Sequence, residues 1–337
     1  MAENLNRKNP ISQEWYDVLT KDNAFLTITA NGQLEELAQH FPKDMEFPQS
    51  ILTMTDEEGF NFLQSAANKG FLPQVTFFAK EHNLDLTAPA NQLNSAKNNF
   101  VFDAALQGYL DQVTDMAEAL NLDVFSNVPK QNEHDYTFLH YAAQGACLDQ
   151  VPDLAKRLNL DLNEYIDKQN MFGKTVIHQA IRAGTTDQLT SMVKELNLDI
   201  TPVLNKQDTK EEKTFLHYAA ETGNFKPVSK MAEELGLDLS STFKVRDKLW
   251  ETFFHTAAEN KHLDTMVEFC KEVNVKLTPD MIDDKVMEMA KENGQGAYAN
   301  KLKEMANSSS ANKKTKDTSK ETKPVTTAIA SKLNRSR

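Results

Sequence analysis

Four histidines at near-constant spacing are the first residues of this chain whose type and placement could do chemistry. His140, His178, His217 and His255 are 38, 39 and 38 residues apart. Imidazoles repeated in register suggest a metal array or a proton relay. Each stands in the same kind of string: TFLHYAA at 137–143, TVIHQAI at 175–181, TFLHYAA again at 214–220 and TFFHTAA at 252–258. Equivalent residues on neighbouring packed helices lie about 8–10 Å apart, whereas zinc holds its ligands at about 2 Å. Two such histidines therefore cannot share one ion. The expected role is structural: a neutral ring, hydrogen-bonded near a helix start to the threonine three residues before it, because buried polar groups need partners. At the same register, earlier in the chain, stand Leu26, Gln64 and Phe102, which read as packing residues.

The other chemical candidates are weaker. FGKTVIH at 172–178 contains the G-K-T of a phosphate-binding loop, but that motif needs a glycine five positions before Gly173, where Lys168 stands. NGQGAYA at 293–299 has two glycines and no strand before them. The acid pairs Glu211-Glu212 and Asp283-Asp284 read as solvated helix ends or loops. Cys147 and Cys270 are the only cysteines and have no ligand-spaced partners, which fits a reducing, cytosol-like environment. No catalytic residue, metal ligand or cofactor is expected, and the chain is not expected to be an enzyme.

The elements that carry the histidines repeat with them. The alanine pair recurs as Ala66-Ala67, Ala104-Ala105, Ala142-Ala143, Ala219-Ala220 and Ala257-Ala258, with Ala180-Ile181 as a variant. Leu37, Val75, Val113, Val151, Leu189, Val228 and Met266 follow eleven residues after each register position. NLDL (83–86), NLDV (121–124), NLDL (159–162), NLDI (197–200), GLDL (236–239) and NVKL (274–277) close the units. Asn23, Asn61, Asn99, Thr137, Thr175, Thr214 and Thr252 are helix N-caps by type. Gly32, Gly70, Gly108, Gly184 and Gly223 fall where the first helix must end. The second helix follows, as in DQVTDMAEAL (111–120), with apolar residues at i, i+3, i+4 and i+7. Each unit reads as helix, turn, helix and connecting loop.

These residues resemble a known family. DEEGFNFLQSAANKG at 56–70 is similar to the ankyrin-repeat pattern D-x-x-G-x-T-P-L-H-x-A-A-x-x-G, and the leading acid or amide recurs as Asp56, Asn94, Asn132, Asn170, Asp208 and Asp247. The resemblance implies an all-α ankyrin-repeat solenoid of about seven 38-residue helix-turn-helix units with terminal caps, and the same structural role for the histidines. The chain departs from the family in three ways. Its units exceed the family's period of about 33, with the extra residues expected in the loop after the second helix. The family proline is replaced by Ala24, Phe62, Phe100, Phe138, Val176, Phe215 or Phe253. The turn glycine survives only at Gly59 and Gly173, so longer, less regular hairpin tips are expected. The competing fold is a tandem helical-pair array of another class, such as tetratricopeptide or HEAT units.

The expected organisation is an N-terminal capping helix (1–22), the repeat array (23–277), C-terminal capping helices (278–306) and a disordered basic tail (307–337). Ser12 is the expected cap of the first helix, with Trp15, Val18 and Leu19 facing the array. Thr278-Pro279-Asp280 is the expected start of a helix over 279–292, followed by a helix over 296–306. The tail holds eight Lys/Arg and two acids, which leaves −18 of the net −12 on residues 1–306. Such a body is a poor match for a phosphate backbone, so no nucleic acid is expected. In the tail, Val325, Ile329 and Leu333 at i, i+4 and i+8 read either as a short recognition or targeting segment or as accidental spacing in a solubilising tail. No apolar run is long enough for a transmembrane helix, and the first residues lack a signal-peptide core.

The resemblance implies a monomeric scaffold that recognises one protein through hairpin tips and first-helix faces. Trp250, Met171 and Phe172, with the in-register Lys130, Lys168 and Lys206, are the candidate contact residues. The Asn/Lys/Gln-rich units and basic C-terminus are similar to ankyrin effectors that intracellular bacteria deliver into host cells through C-terminal signals. An endogenous cytosolic adaptor, or an enzyme whose site is invisible in sequence, is the competing reading.

Overall fold

The computed structural model describes residues 9–126, 130–273 and 275–317, with side chains as far as 308. Seven helix pairs stack among these residues, and no strand is present apart from an isolated bridge between Asn9 and Met45. The first helices are Ala24–Ala30, Phe62–Lys69, Phe100–Gln107, Phe138–Gln144, Val176–Ala183, Phe215–Thr222 and Phe253–Glu259. The second helices are Leu34–His40, Leu72–His82, Leu110–Leu120, Val151–Arg157, Thr186–Leu196, Phe225–Leu235 and Leu263–Glu272. First helices pack on first helices and second on second. The alanine pairs are buried where neighbouring first helices meet. A larger side chain there would push the helices apart. One continuous apolar core runs from Leu19 to Ala306.

The closing tetrapeptide has a job at every position. Asn83, Asn121, Asn159 and Asn197 take the left-handed conformation after the second helix, as Gly236 does in the sixth unit, a helix ending that glycine adopts most easily and asparagine tolerates better than other side chains. The next residue returns its amide to the helix, as Leu84 to the Ala79 carbonyl at 2.9 Å and Leu198 to Val193 at 3.0 Å. The aspartate then accepts an amide two residues on: Asp85 from Thr87, Asp161 from Asn163, Asp199 from Thr201. The last residue, Leu86, Val124, Leu162, Ile200 or Leu239, enters the core.

Where a loop is expected after the second helix, most units carry a short third element. Helical turns form at Gln49–Leu52, Thr87–Ala90 and Asn163–Ile166, and 3-10 turns at Thr201–Val203 and Thr242–Lys244. They hold the residues in excess of the family period. Each delivers its own buried side chains, such as Ile51 and Leu52, Tyr165 and Ile166, or Phe243. Burying side chains of this size stabilises by about 1.5–3 kcal/mol each, which offsets part of the cost of ordering the turn.

At the start, helix Gln13–Thr20 is capped by Ser12, whose Oγ accepts the Trp15 amide. Trp15 stacks edge-on against Phe41 and Leu19 is buried, but Val18 is half exposed. Asn23, expected to cap the first helix of the array, is itself left-handed and caps nothing with its side chain. At the other end the helix expected over 279–292 is broken. Thr278-Pro279-Asp280 starts only a 3-10 turn, Pro279–Met281, and the α-helix begins afresh at Asp284 because Asp283 accepts the Val286 amide at 3.0 Å. The final helix, Gly296–Asp317, runs past residue 306, since no glycine or proline interrupts 297–317. Residues 318–337, with the Val325/Ile329/Leu333 spacing, lie outside the described residues.

Candidate functional site

Each hairpin is built by its leading acid or amide. One side-chain oxygen accepts two amides of its own turn: Asp56 from Glu58 and Phe60, Asn94 from Ala96 and Asn98, Asn132 from His134 and Tyr136. Asn170, Asp208 and Asp247 repeat the arrangement. The turn closes with a backbone bond from the leading residue to the carbonyl four residues on, except at 208, where Lys213 is five on. That single insertion accounts for the 39-residue spacing. Successive tips are joined by backbone bonds, including Met171 N to His134 O at 3.0 Å and Thr209 N to Phe172 O at 2.9 Å. The tips are thus shorter and more regular than expected. The missing turn glycine is compensated by conformation: Lys97, Asp135, Glu212 and Trp250 stand left-handed where Gly59 and Gly173 stand in other units.

The histidines key each hairpin to the helix before it. The amides of Thr137, Thr175, Thr214 and Thr252 donate to Nδ1 of His140, His178, His217 and His255 at 3.1–3.2 Å. An amide can only donate, so the ring proton is on Nε2. That atom donates to the carbonyl closing the next hairpin: Lys174, Lys213 and Glu251, at 2.9, 3.3 and 3.2 Å. In the last unit Nε2 of His255 meets the Asp283 carboxylate at 3.2 Å instead. Both ring nitrogens are engaged, and desolvation lowers the pKa of His140 and His178 to about 4. The expected tie to the unit's own threonine is present, and the bond to the next unit is additional. Gln64 is no mere packing residue. Its Oε1 accepts the Asn61 amide and its Nε2 donates to Asn98 O, reproducing both histidine bonds. Phe102 can do neither. Beside it, Asp103 is buried with Oδ2 unpartnered, and burial raises its pKa to about 7.

A second ladder, unnoticed in the sequence, follows the three lysines. Gln131, Gln169 and Gln207 each donate to the carbonyl of the left-handed residue of their own tip and to the backbone carbonyl at the glutamine position of the next unit, Gln169, Gln207 and Arg246. Arg246 ends the series by donating to Trp250 O. The lysines one residue earlier do not act alike. Lys130 pairs with Glu164 at 2.6 Å and Lys168 with Asp167 at 3.2 Å, while Lys206 is exposed.

Trp250 is 77 % exposed with φ +63°, beside Leu249 at 72 %. A left-handed bulky residue costs about 1–2 kcal/mol, and the indole recovers none of it by packing. Met171 and Phe172 are half exposed at the tip two units earlier. The G-K-T segment is absorbed by the repeat: Gly173 is the left-handed tip, Lys174 lies over the Tyr218 ring, and Thr175 is the helix cap. Among the described residues no group of three or more His, Cys, Asp or Glu is placed to hold a metal ion.

Residues 139–243 match the family model of ankyrin repeats, in three copies. No curated protein matches the chain. Among solved structures, the human ASB11 ankyrin repeat domain is similar over 72 % of this chain and 96 % of that one, at 15 % identity and a TM-score of 0.50. Stacked helix pairs, tip-to-tip hairpins and these matches agree: the chain contains ankyrin repeats and folds as an all-α ankyrin-repeat solenoid.

Proposed function

We propose that the array is a protein-recognition scaffold, non-catalytic, which holds its partner along the hairpin tips. One observation carries this reading. Leu249 and Trp250 present a large apolar pair to water, on a backbone conformation that glycine would adopt without cost. Every hairpin holds this position left-handed, so what sets this tip apart is the exposed apolar pair itself, and tryptophan is enriched among interface anchors. Met171 and Phe172 extend the same edge. Lys206 contributes to encounter, whereas Lys130 and Lys168 are already paired with acids.

The finer reading, a translocated bacterial effector with a host protein as partner, is supported by composition: Asn/Lys/Gln-rich units and a tail of charge +6 on a body of −18. No helix among the described residues is long and apolar enough to cross a membrane. Capture from host-cell lysate by the full chain tests both levels. A protein retained by wild type and by Glu233→Ala on the second-helix face, but lost with Trp250→Ala, supports recognition at the tips. Equal loss with both variants, or loss with Glu233→Ala alone, would move the partner to the opposite face. Capture from bacterial but not host lysate would remove the effector reading and leave the scaffold.

A further inference from the structure

Between the fifth and sixth units the tips and first helices enclose a hollow of 270 Å³, adjoining a wider one of 530 Å³. Phe172, Lys174, Arg182 and Lys210 line both. Tyr218 forms the floor of the smaller. Its hydroxyl donates to Asp208 Oδ2 at 2.8 Å, which fixes the ring. Lys174 Nζ lies 5.1 Å and Arg182 Cζ 5.7 Å from the ring centroid. The Lys174 backbone is held as well, because its carbonyl accepts from His140 Nε2 and from the Asn170 amide, each at 2.9 Å.

Two cations thus converge on a fixed aromatic ring. Among the described residues neither has a carboxylate within ion-pairing distance, although the body carries −18. The nearby acids are otherwise occupied: Glu211 and Glu221 both pair with Lys213 at 2.6 Å, and Asp208 serves its hairpin and Tyr218. Burial and the neighbouring Arg182 charge hold the Lys174 pKa below its usual value, although Asp208, Glu221 and Glu211 act in the opposite sense from beyond ion-pairing distance.

We propose that this hollow binds a peptide carboxylate between Lys174 and Arg182, with an adjacent apolar residue of the same peptide seated on Phe172. Arg182 supplies a planar fork suited to a carboxylate, and the restraint of Tyr218 and Lys174 reduces the entropy lost on binding. A polyphosphate or nucleic-acid strand is disfavoured, since Asp208, Glu211 and Glu221 rim the hollow and repel extended negative charge. The inference rests on the scaffold reading and shares Phe172 with its tip surface, but Lys174 and Arg182 are not part of that surface.

The test is selection of displayed random dodecapeptides on the full chain, followed by synthesis of the enriched sequences and binding by fluorescence anisotropy. The expected winners carry Asp or Glu next to an aromatic or large aliphatic residue. They lose at least tenfold in affinity when that acid becomes Asn or Gln, and the same with Lys174→Gln or Arg182→Gln, whose melting curves stay like wild type. Each peptide is made as C-terminal amide and free acid. Binding by the amide assigns a side-chain carboxylate, and binding by the acid alone assigns a chain terminus. Winners lost with Trp250→Ala but indifferent to Lys174→Gln and Arg182→Gln overturn the hollow and leave the tip reading intact. Winners indifferent to all three variants overturn both, and a selection without enrichment also counts against the hollow.

Discussion

His140 Nε2 lies 2.9 Å from the carbonyl oxygen of Lys174, in the next unit, while Nδ1 of the same ring accepts the amide of Thr137. One neutral imidazole thereby caps its own helix and locks the following hairpin in register. In a solenoid, stability divides into terms within units and terms between neighbours. The histidine contributes to both.

Removing it should therefore cost more than an ordinary cap. For His217→Ala we expect a loss of roughly 1–3 kcal/mol, from one orphaned buried donor, Thr214 N–H, the lost bond between units to Glu251 C=O (which keeps the Asp247 amide), and lost packing. His217→Gln should recover at least half of this, because Gln64 makes the same two bonds in the second unit. Urea unfolding of both variants measures it. Equal losses from alanine and glutamine would show that ring packing, not the paired hydrogen bonds, is what matters.

Acid should loosen the array before carboxylate titration is complete. His140 and His178 have folded pKa values near 4, below the unfolded value of 6.5. Between those limits the unfolded chain binds more protons, so stability falls as pH drops from 6.5 towards 4, by at most about 3 kcal/mol per ring. The pKa values of His217 and His255 are lowered in the same sense. Thermal melts across this window should shift to lower temperature in wild type, and less in a His140→Gln/His178→Gln double variant. A pH-independent midpoint above 5 would mean that the rings titrate in the fold as they do in the unfolded chain.

Asp103 acts with the opposite sign. Its folded pKa, raised to about 7 by burial, exceeds the unfolded value near 3.8. Its favourable contribution is present below about pH 4 and is lost as pH rises through 7. At pH 8 the fold holds a buried carboxylate with an unpartnered oxygen. Asp103→Asn should raise stability there by about 1–3 kcal/mol and have little effect at pH 4. A variant no more stable than wild type at pH 8 would imply a cation or water serving Oδ2.

At Trp250, stability and recognition should part. Trp250→Gly relieves a left-handed conformation and surrenders little packing, so the melting midpoint should rise by the equivalent of about 1 kcal/mol. The same change should weaken partner binding by about 2 kcal/mol or more. A loss of both stability and binding would show that the indole belongs to the fold rather than to the interface.

Much of this architecture was legible before any coordinates. The repeat period, the helix pairs, the caps at Thr137, Thr175, Thr214 and Thr252, and the buried alanine pairs follow from short-range rules, because a helix start or a close contact demands particular residue types within a few positions. Less was legible where the partner is distant. That Gln64 substitutes for histidine depends on the carbonyl of Asn98, 34 residues away. The absence of turn glycines suggested irregular tips, yet Asp and Asn side chains impose one geometry and force Lys97, Asp135, Glu212 and Trp250 to comply.

The sequence alone determined a histidine-capped helical array and pointed to Trp250, Met171 and Phe172, since repetition in register is a property of the chain. Tertiary structure decided what each register position faces. It paired Lys130 and Lys168 with acids and exposed Leu249 beside Trp250. It also brought Lys174 and Arg182 onto the Tyr218 ring without a carboxylate between them. The physical reason is that charge pairing and exposure depend on contacts between units, and stacking, rather than spacing along the chain, sets those contacts.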